Sequence, residues 1–478
     1  MALDPWRPAI ALVLAGACCG AASAQEAGAT YANPLPVASP AGPVDSCADP
    51  TAIEGPAGDP SWYMVCTTDP LSGSDRDAGG DLIFHLLPTF RSTDLVHWTY
   101  VGDAFDRAPG AARPPPDWAD PTSVFWAPEI DRMDGRYVLT FAVTDVTTEA
   151  GGEPGCDEDS AIGLAVSDSP AGPWEPMSEP IVPPRRAEDG CEFFWTLDPE
   201  VIETSDGQGY IYYGSFYGGI EARELTRTRE GQWSAPEGSA VPITIPNRYE
   251  GAEIIQRDGF YYLFASATNC CAGPQTGYAV FVARSENPLG PFVDRDGVSV
   301  LEEGVGGTPF LVQNGNGWVG PGHNTLIQDR AGQWWTLYHA VEEQAPFFEG
   351  EPGFTRRPAL LDRVDWLEGW PVLNGGTGPS VKEVPGPALR PGVAIALPSP
   401  VPSVEAMVTI PDLSDDFVGT ELSSQWRWVR PPTEGAEVAG GRLAMPTQDA
   451  DLFEDRNDAS VLVEPLPEGD VAVEVRVR

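Results

Sequence analysis

Short runs rich in aromatic and β-branched residues recur along the chain: Trp62-Tyr-Met-Val-Cys66, Tyr137-Val-Leu-Thr-Phe141, Tyr210-Ile-Tyr-Tyr213, Phe260-Tyr-Tyr-Leu-Phe264 and Trp334-Trp-Thr-Leu-Tyr338. Their length and composition are those of buried β-strands. Four of the five follow a glycine-containing turn, at Asp134-Gly135-Arg136, Gly207-Gln208-Gly209, Asp258-Gly259 and Ala331-Gly332-Gln333, so each run is read as the second strand of a hairpin. The first strand of each hairpin opens on a matching position: Ala48-Asp49-Pro50, Trp126-Ala127-Pro128, Leu197-Asp198-Pro199, Tyr249-Glu250-Gly251 and Gly322-His323-Asn324. The central residues are 78, 71, 52 and 73 positions apart. A second hairpin follows in most units, ending in Ser92–Trp98, Ser167–Trp174, Thr228–Trp233 or Ser285–Phe292.

Two hairpins make a four-stranded sheet, and five such units predict an all-β, five-bladed β-propeller whose first strands line a common axis. Equivalent positions then become neighbours, so Asp49, Asp198, Glu250 and His323 are expected to converge although 274 residues separate the first from the last. We assign the propeller to residues 31–380. Residues 385–402 hold six prolines and a single charge, Arg390, and we read 385–405 as an extended linker. Period-2 alternation returns over 412–478, which predicts a partial β-sandwich.

The start of the chain is different again. An apolar run, Ala9–Cys18, is too short to span a bilayer and precedes the small-residue site Ala22-Ser23-Ala24, so residues 1–24 read as a secretory signal. No later apolar stretch approaches the ~18 residues of a membrane span. The expectation is a secreted, soluble protein without membrane insertion, and a monomer. Composition narrows the partners further. With 28 Lys plus Arg against 71 Asp plus Glu, the formal charge is −43, which repels nucleic acid and anionic membranes. Removal of the leader leaves six of the eight cysteines, which allow 15 pairings that the sequence does not decide.

A cavity offering two Asp and one Glu has the parts for inverting glycoside hydrolysis. One carboxylic acid protonates the leaving oxygen, and one carboxylate deprotonates a water on the opposite sugar face, the two carboxyl groups standing about 6.5–9.5 Å apart to leave it room. A third carboxylate raises the acid's pKa by like-charge repulsion. The same oxygens could instead hold calcium, or the propeller could bind carbohydrate without cleaving it.

The matching segments Ala48-Asp-Pro50, Trp126-Ala-Pro-Glu-Ile130, Leu197-Asp-Pro199, Glu250-Gly-Ala252, Tyr261-Tyr-Leu-Phe264, Gly320-Pro-Gly-His-Asn324, Asp365-Trp366 and Gly369-Trp-Pro371 resemble glycoside hydrolase family 43. These are five-bladed propeller enzymes that release arabinofuranosyl or xylosyl units from plant polysaccharides. The resemblance runs from Tyr31 to about residue 375. It implies Asp49 as general base, Asp198 as pKa modulator and Glu250 as general acid. Gly214-Ser-Phe216, Gly219-Ile220 and the Cys270-Cys271 pair look most like the arabinan-cleaving branch. By the same resemblance Arg357 contacts the polysaccharide or oligosaccharide substrate, and His323 sits beside a calcium ion held largely through water; Trp126 is read from its own chemistry, either as a ring stacking on a sugar face of the substrate or as a core aromatic beside the axis. A vicinal Cys270–Cys271 disulfide follows by analogy, with Cys156–Cys191 and Cys47–Cys66 as the accompanying pairs. Ala252 departs from the proline common in the family and brings Glu253 forward as a second acid candidate. An odd separation of three in a strand places Glu253 on the opposite face, which keeps Glu250. His85, His97 and His339 are expected to be structural.

Overall fold

The computed structural model describes residues 30–392, except 157–158, 188–190, 230 and 303–305, and residues 409–465, except 433–434, 447 and 451–457, together with 467 and 473. The expected signal segment, most of the expected linker and most of the last expected strand lie outside the described residues. The chain divides into two compact units, Met1–Pro398 and Ser399–Arg478.

The first unit is the five-bladed propeller. Its inner strands are Thr51–Glu54, Phe125–Met133, Glu200–Glu203, Tyr249–Arg257 and Trp318–Gln328, each paired antiparallel with the aromatic run that follows it. Third and outer strands complete each sheet in sequence order, as in Phe260–Ala267, Ala279–Ser285 and Thr308–Leu311 of blade four. Second strands such as Arg136–Val143 are buried along nearly their whole length, because each blade is covered on both faces by its neighbours. The predicted turns take the left-handed conformation that two-residue hairpins need, with φ of 51° and 76° at Asp134-Gly135 and 51° and 84° at Asp258-Gly259.

Five separate apolar clusters fill the spaces between adjacent blades. Phe105, Phe125 and Phe141 join blades one and two, and Tyr262, Phe310 and Tyr338 join four and five. The cluster closing the ring holds Trp62, Trp98 and Trp335 with Tyr31 and Leu35 from the N-terminal segment. That segment runs along blade five: Leu35 N–H donates to Ala359 O at 2.9 Å, and Asn33 exchanges two hydrogen bonds with Leu361 at 2.9 Å each. Thr30–Tyr31 then pairs with Val384–Pro385. The linker expected from residue 385 therefore starts later. The proline-rich chain suits an added edge strand, and it stays docked to Ala388, which is buried and donates its N–H to Asp329 Oδ2 at 2.8 Å.

In the second unit the described residues form two antiparallel pairs, Arg427–Arg430 with Val461–Val463 and Glu437–Val438 with Leu443–Ala444. Among the described residues no helix is long and apolar enough to cross a membrane.

Candidate active site

One backbone device recurs at the head of every inner strand. Asp49, Ala127, Asp198, Gly251 and His323 all have positive φ, at 51°, 44°, 51°, 58° and 46°. In blades two, four and five this residue interrupts the ladder as a bulge. In blades one and three it precedes a proline, which lacks an N–H, and the ladder begins one residue later. The register in blade four thus falls on Gly251, not Glu250 as the sequence pattern suggested. Glu250 stands one place earlier, level with Trp126. A glycine is required there: a Cβ on Gly251 would lie 3.1 Å from His323 Nδ1.

Neighbouring blades are laced together at this level. The N–H of Ala127 donates to Thr67 Oγ1 (2.8 Å), that of Gly251 to Asp198 Oδ2 (2.9 Å), that of His323 to Ser266 Oγ (2.8 Å) and that of Asp49 to His339 Nδ1 (3.1 Å). The last bond makes Nδ1 an acceptor and so puts the His339 ring proton on Nε2. His339 is fully buried and its pKa falls to about 4, chiefly through burial, so the ring is neutral. The sequence reading of His339 as purely structural is corrected: it orients Asp49.

Asp49 accepts from Thr67 Oγ1 at 2.6 Å and from Arg357 Nη1 at 3.3 Å, and His323 Nδ1 lies 3.4 Å from its Oδ1. Burial alone would raise its pKa, but the Arg357 guanidinium beside it holds it well below the usual carboxylate range. Glu250 accepts from Tyr278 OH at 2.5 Å and from the Phe216 N–H at 3.1 Å. Burial pushes Glu250 up against these two donors, with the Asp49 charge adding to the rise. Asp198 is pushed well up by burial and then by the Glu250 and Asp49 charges, against one donor, the Gly251 N–H. The pKa values of the three neighbours are thus pushed apart: Asp49 is lowered by its arginine, whereas Glu250 and Asp198 are both raised, first by burial and then by neighbouring negative charge.

Aromatic rings extend the site sideways. Trp126 stacks on Trp195 at 6.4 Å between centroids, Trp195 meets the exposed Tyr217 at 6.2 Å, and Tyr217 adjoins Phe216, whose N–H holds Glu250.

The profile of glycosyl hydrolases family 43 matches residues 47–371, the length of the five blades. The chain belongs to this family. It is a glycosidase. It is 27% identical over 332 residues to an extracellular endo-α-(1→5)-L-arabinanase of Bacillus subtilis, covering 68% of this chain and 86% of the relative. It is 29% identical over 309 residues to an extracellular exo-α-(1→5)-L-arabinofuranosidase of Cellvibrio japonicus, covering 60% and 79%. In structure it is similar to the α-L-arabinanase of Cellvibrio cellulosa complexed with arabinohexaose, with a TM-score of 0.52 over 69% of this chain and 96% of that one, at 24% identity.

In this glycosidase the sequence-predicted Asp49, Asp198, Glu250, His323 and Arg357 meet around the axis, and Trp126 flanks them. The parity argument against Glu253 fails in its premise, because the bulge at Gly251 breaks the alternation. Contacts decide instead: Glu250 adjoins Asp198, whereas Glu253 lies deeper, beside Glu129 and Glu200. Tyr278, Thr67, Trp195 and Tyr217 went unread because they stand on loops or second strands outside the repeated position. The three disulfides pair Cys47–Cys66, Cys156–Cys191 and Cys270–Cys271. The last anchors a loop against Thr355, which accepts from Gly273 N–H at 3.1 Å and donates to Cys271 O at 3.1 Å. Tyr278 follows at the end of the same loop.

Proposed function

We propose that this glycosidase is a secreted, monomeric, inverting enzyme that cleaves α-L-arabinofuranosyl linkages of arabinan. The observation that carries the reading is the clustering of three carboxyls with unlike partners: Asp49 paired with Arg357, and Glu250 held by Tyr278 and the Phe216 N–H beside Asp198. Asp49 acts as general base on a water, oriented by Thr67, Arg357 and His339. Glu250 donates the proton to the departing glycosidic oxygen, and Asp198 keeps that proton available at neutral pH. Arabinan is favoured because relatives matched along most of their own length are named for cleavage of α-(1→5)-L-arabinosyl linkages, and export because two of them are named extracellular. Trp126, Trp195 and Tyr217 offer ring faces for sugars on the Glu250 side of the cleavage point. Calcium beside His323 is part of the proposal: burial keeps that ring neutral and able to offer one nitrogen, with waters as the other ligands. Bound there, the ion would add positive charge next to Asp49.

Proton NMR of the first sugar released from linear arabinan tests the mechanism, with inverted anomeric configuration expected. A retained anomer would remove Asp49 from the base role. Glu250→Ala is expected to lower turnover of arabinan by about 10²–10⁴-fold while sparing nitrophenyl arabinofuranoside, whose leaving group needs little protonation. Equal loss on both substrates would count against Glu250 as the acid.

A further inference from the structure

Two residues beyond the left-handed position, each inner strand presents another polar side chain to the axis: Thr51, Glu129, Glu200, Glu253 and Thr325. One carboxylate oxygen from each of the three glutamates lies within 4.8 Å of the other two. These residues also lace the blades, since Ile130 N–H donates to Thr51 Oγ1 at 3.3 Å, Ile254 N–H to Glu200 Oε1 at 3.1 Å and Leu326 N–H to Glu253 Oε1 at 2.7 Å. Each glutamate thus uses one oxygen on the scaffold, Glu129 through the Ile130 N–H at 3.0 Å. Glu129 and Glu253 also accept from the hydroxyls of Thr51 and Thr325, while the second oxygen of Glu200 is left for the axis. Glu200 is only 4% exposed, and its Oε2 is buried with no hydrogen-bond partner.

That arrangement is costly as it stands. A buried carboxylate oxygen without a partner carries an uncompensated desolvation cost, and three carboxylates in contact repel one another. Asp49 is answered by an arginine, but the strongest charges acting on Glu129 and Glu200 are other carboxylates. A cation among the three would satisfy the free oxygen and cancel the repulsion together. Opposite oxygens around calcium stand about 4.6–5.2 Å apart, from its 2.3–2.6 Å bonds, and calcium accepts several protein carboxylates with hydroxyls or waters. Magnesium, with bonds near 2.0–2.1 Å and a tightly kept water shell, rarely takes three.

We propose that Glu129, Glu200 and Glu253 form a calcium site on the propeller axis, directly beneath the Asp49–Asp198–Glu250 cluster, with the hydroxyls of Thr51 and Thr325 beside it. The donor set is distinct from the single imidazole of His323. It does not depend on which sugar the enzyme cleaves. The ion ties blades two, three and four together where the catalytic strands begin, so it stiffens the floor of the site.

The test uses the full chain, stripped with EDTA and desalted, with CaCl2 as the probe. Elemental analysis should return at least one calcium per chain after reloading of His323→Ala, and thermal unfolding of that variant should shift upward by several degrees with calcium and back with EDTA. Glu200→Gln and Glu253→Gln, both isosteric, should each weaken calcium binding measured by calorimetry at least tenfold, whereas His323→Ala should retain it. Glu129→Gln serves in place of either variant that fails to fold. The proposal is overturned if the stripped protein binds no calcium, if the amides leave the affinity unchanged, or if His323→Ala alone abolishes binding. The amides raising stability without calcium while the wild type ignores the ion would identify a proton-sharing cluster instead.

Discussion

Glu250 accepts two hydrogen bonds and Asp198 one, so protonation at this pair responds in opposite directions to two small changes. Tyr278→Phe removes a donor that favours ionised Glu250. Its pKa rises further, and the basic limb of the kcat/KM profile moves to higher pH. Asp198→Asn removes a like charge, the pair becomes a single group, and the same limb moves to lower pH. pH profiles on one aryl arabinofuranoside check both, and shifts of the same sign in the two variants would show that the limb belongs to another group. Asp49 and Asp198 were readable in the sequence because both stand at the repeated position before a proline. Glu250 was read one step out of register, since Tyr249-Glu250-Gly251 and Glu250-Gly251-Ala252 fit a loose motif equally well and only backbone torsion separates them.

At the level of the strand, the left-handed residue is the unit that repeats. Holding a residue with a Cβ in that region costs about 1–2 kcal/mol, less for Asp, whose side chain bonds locally. Ala127 has no such compensation at φ 44°. Ala127→Gly is therefore expected to raise stability by about 1 kcal/mol, or about 1–2 °C in Tm for a propeller of this size. Gly251→Ala should lower it by at least as much, because φ is 58° and the new methyl would press on the His323 ring. Differential scanning calorimetry of the two variants checks the pair, and a stabilised Gly251→Ala would contradict the assigned strain. Blade count and strand order were legible because aromatic second strands and glycine turns mark each hairpin. The axial glutamates carried the same signal, each two residues past a recognised position, yet at Glu129 the carboxylate looked like part of a motif and at Glu253 like a rival acid. The aromatic wall of Trp195 and Tyr217 had no periodic cue, since loops place it.

Across the whole molecule, closure depends on chain beyond the fifth blade. Ending the protein at residue 380 removes Val384–Pro385 and Ala388 from their partners and should lower Tm by several degrees, whereas ending it at 398 should leave Tm and turnover of a small substrate unchanged. Activity assays and unfolding of both truncations decide this, and loss of turnover in the longer one would give the second unit a part in the site. A net charge of −43 sets a second global property. Self-repulsion is long-ranged and screened at high ionic strength, where the Debye length falls from about 10 Å at 0.1 M to 3 Å at 1 M. Unfolding in 1 M NaCl is expected at higher temperature than in 0.1 M. A lower Tm would mean that surface ion pairs outweigh the repulsion.

Asp49 stands in the first blade, yet His323, His339 and Arg357, which hold its carboxylate and its N–H, all come from the fifth, as much as 308 residues later. A growing chain can assemble four blades and their cores in order as it emerges. It cannot complete the surroundings of Asp49 until the last blade returns to the first and Thr30–Tyr31 finds Val384–Pro385. Catalytic competence is therefore expected in one late step, and the appearance of turnover during refolding should track the meeting of the propeller's first and last strands, after most of the β-structure has already formed.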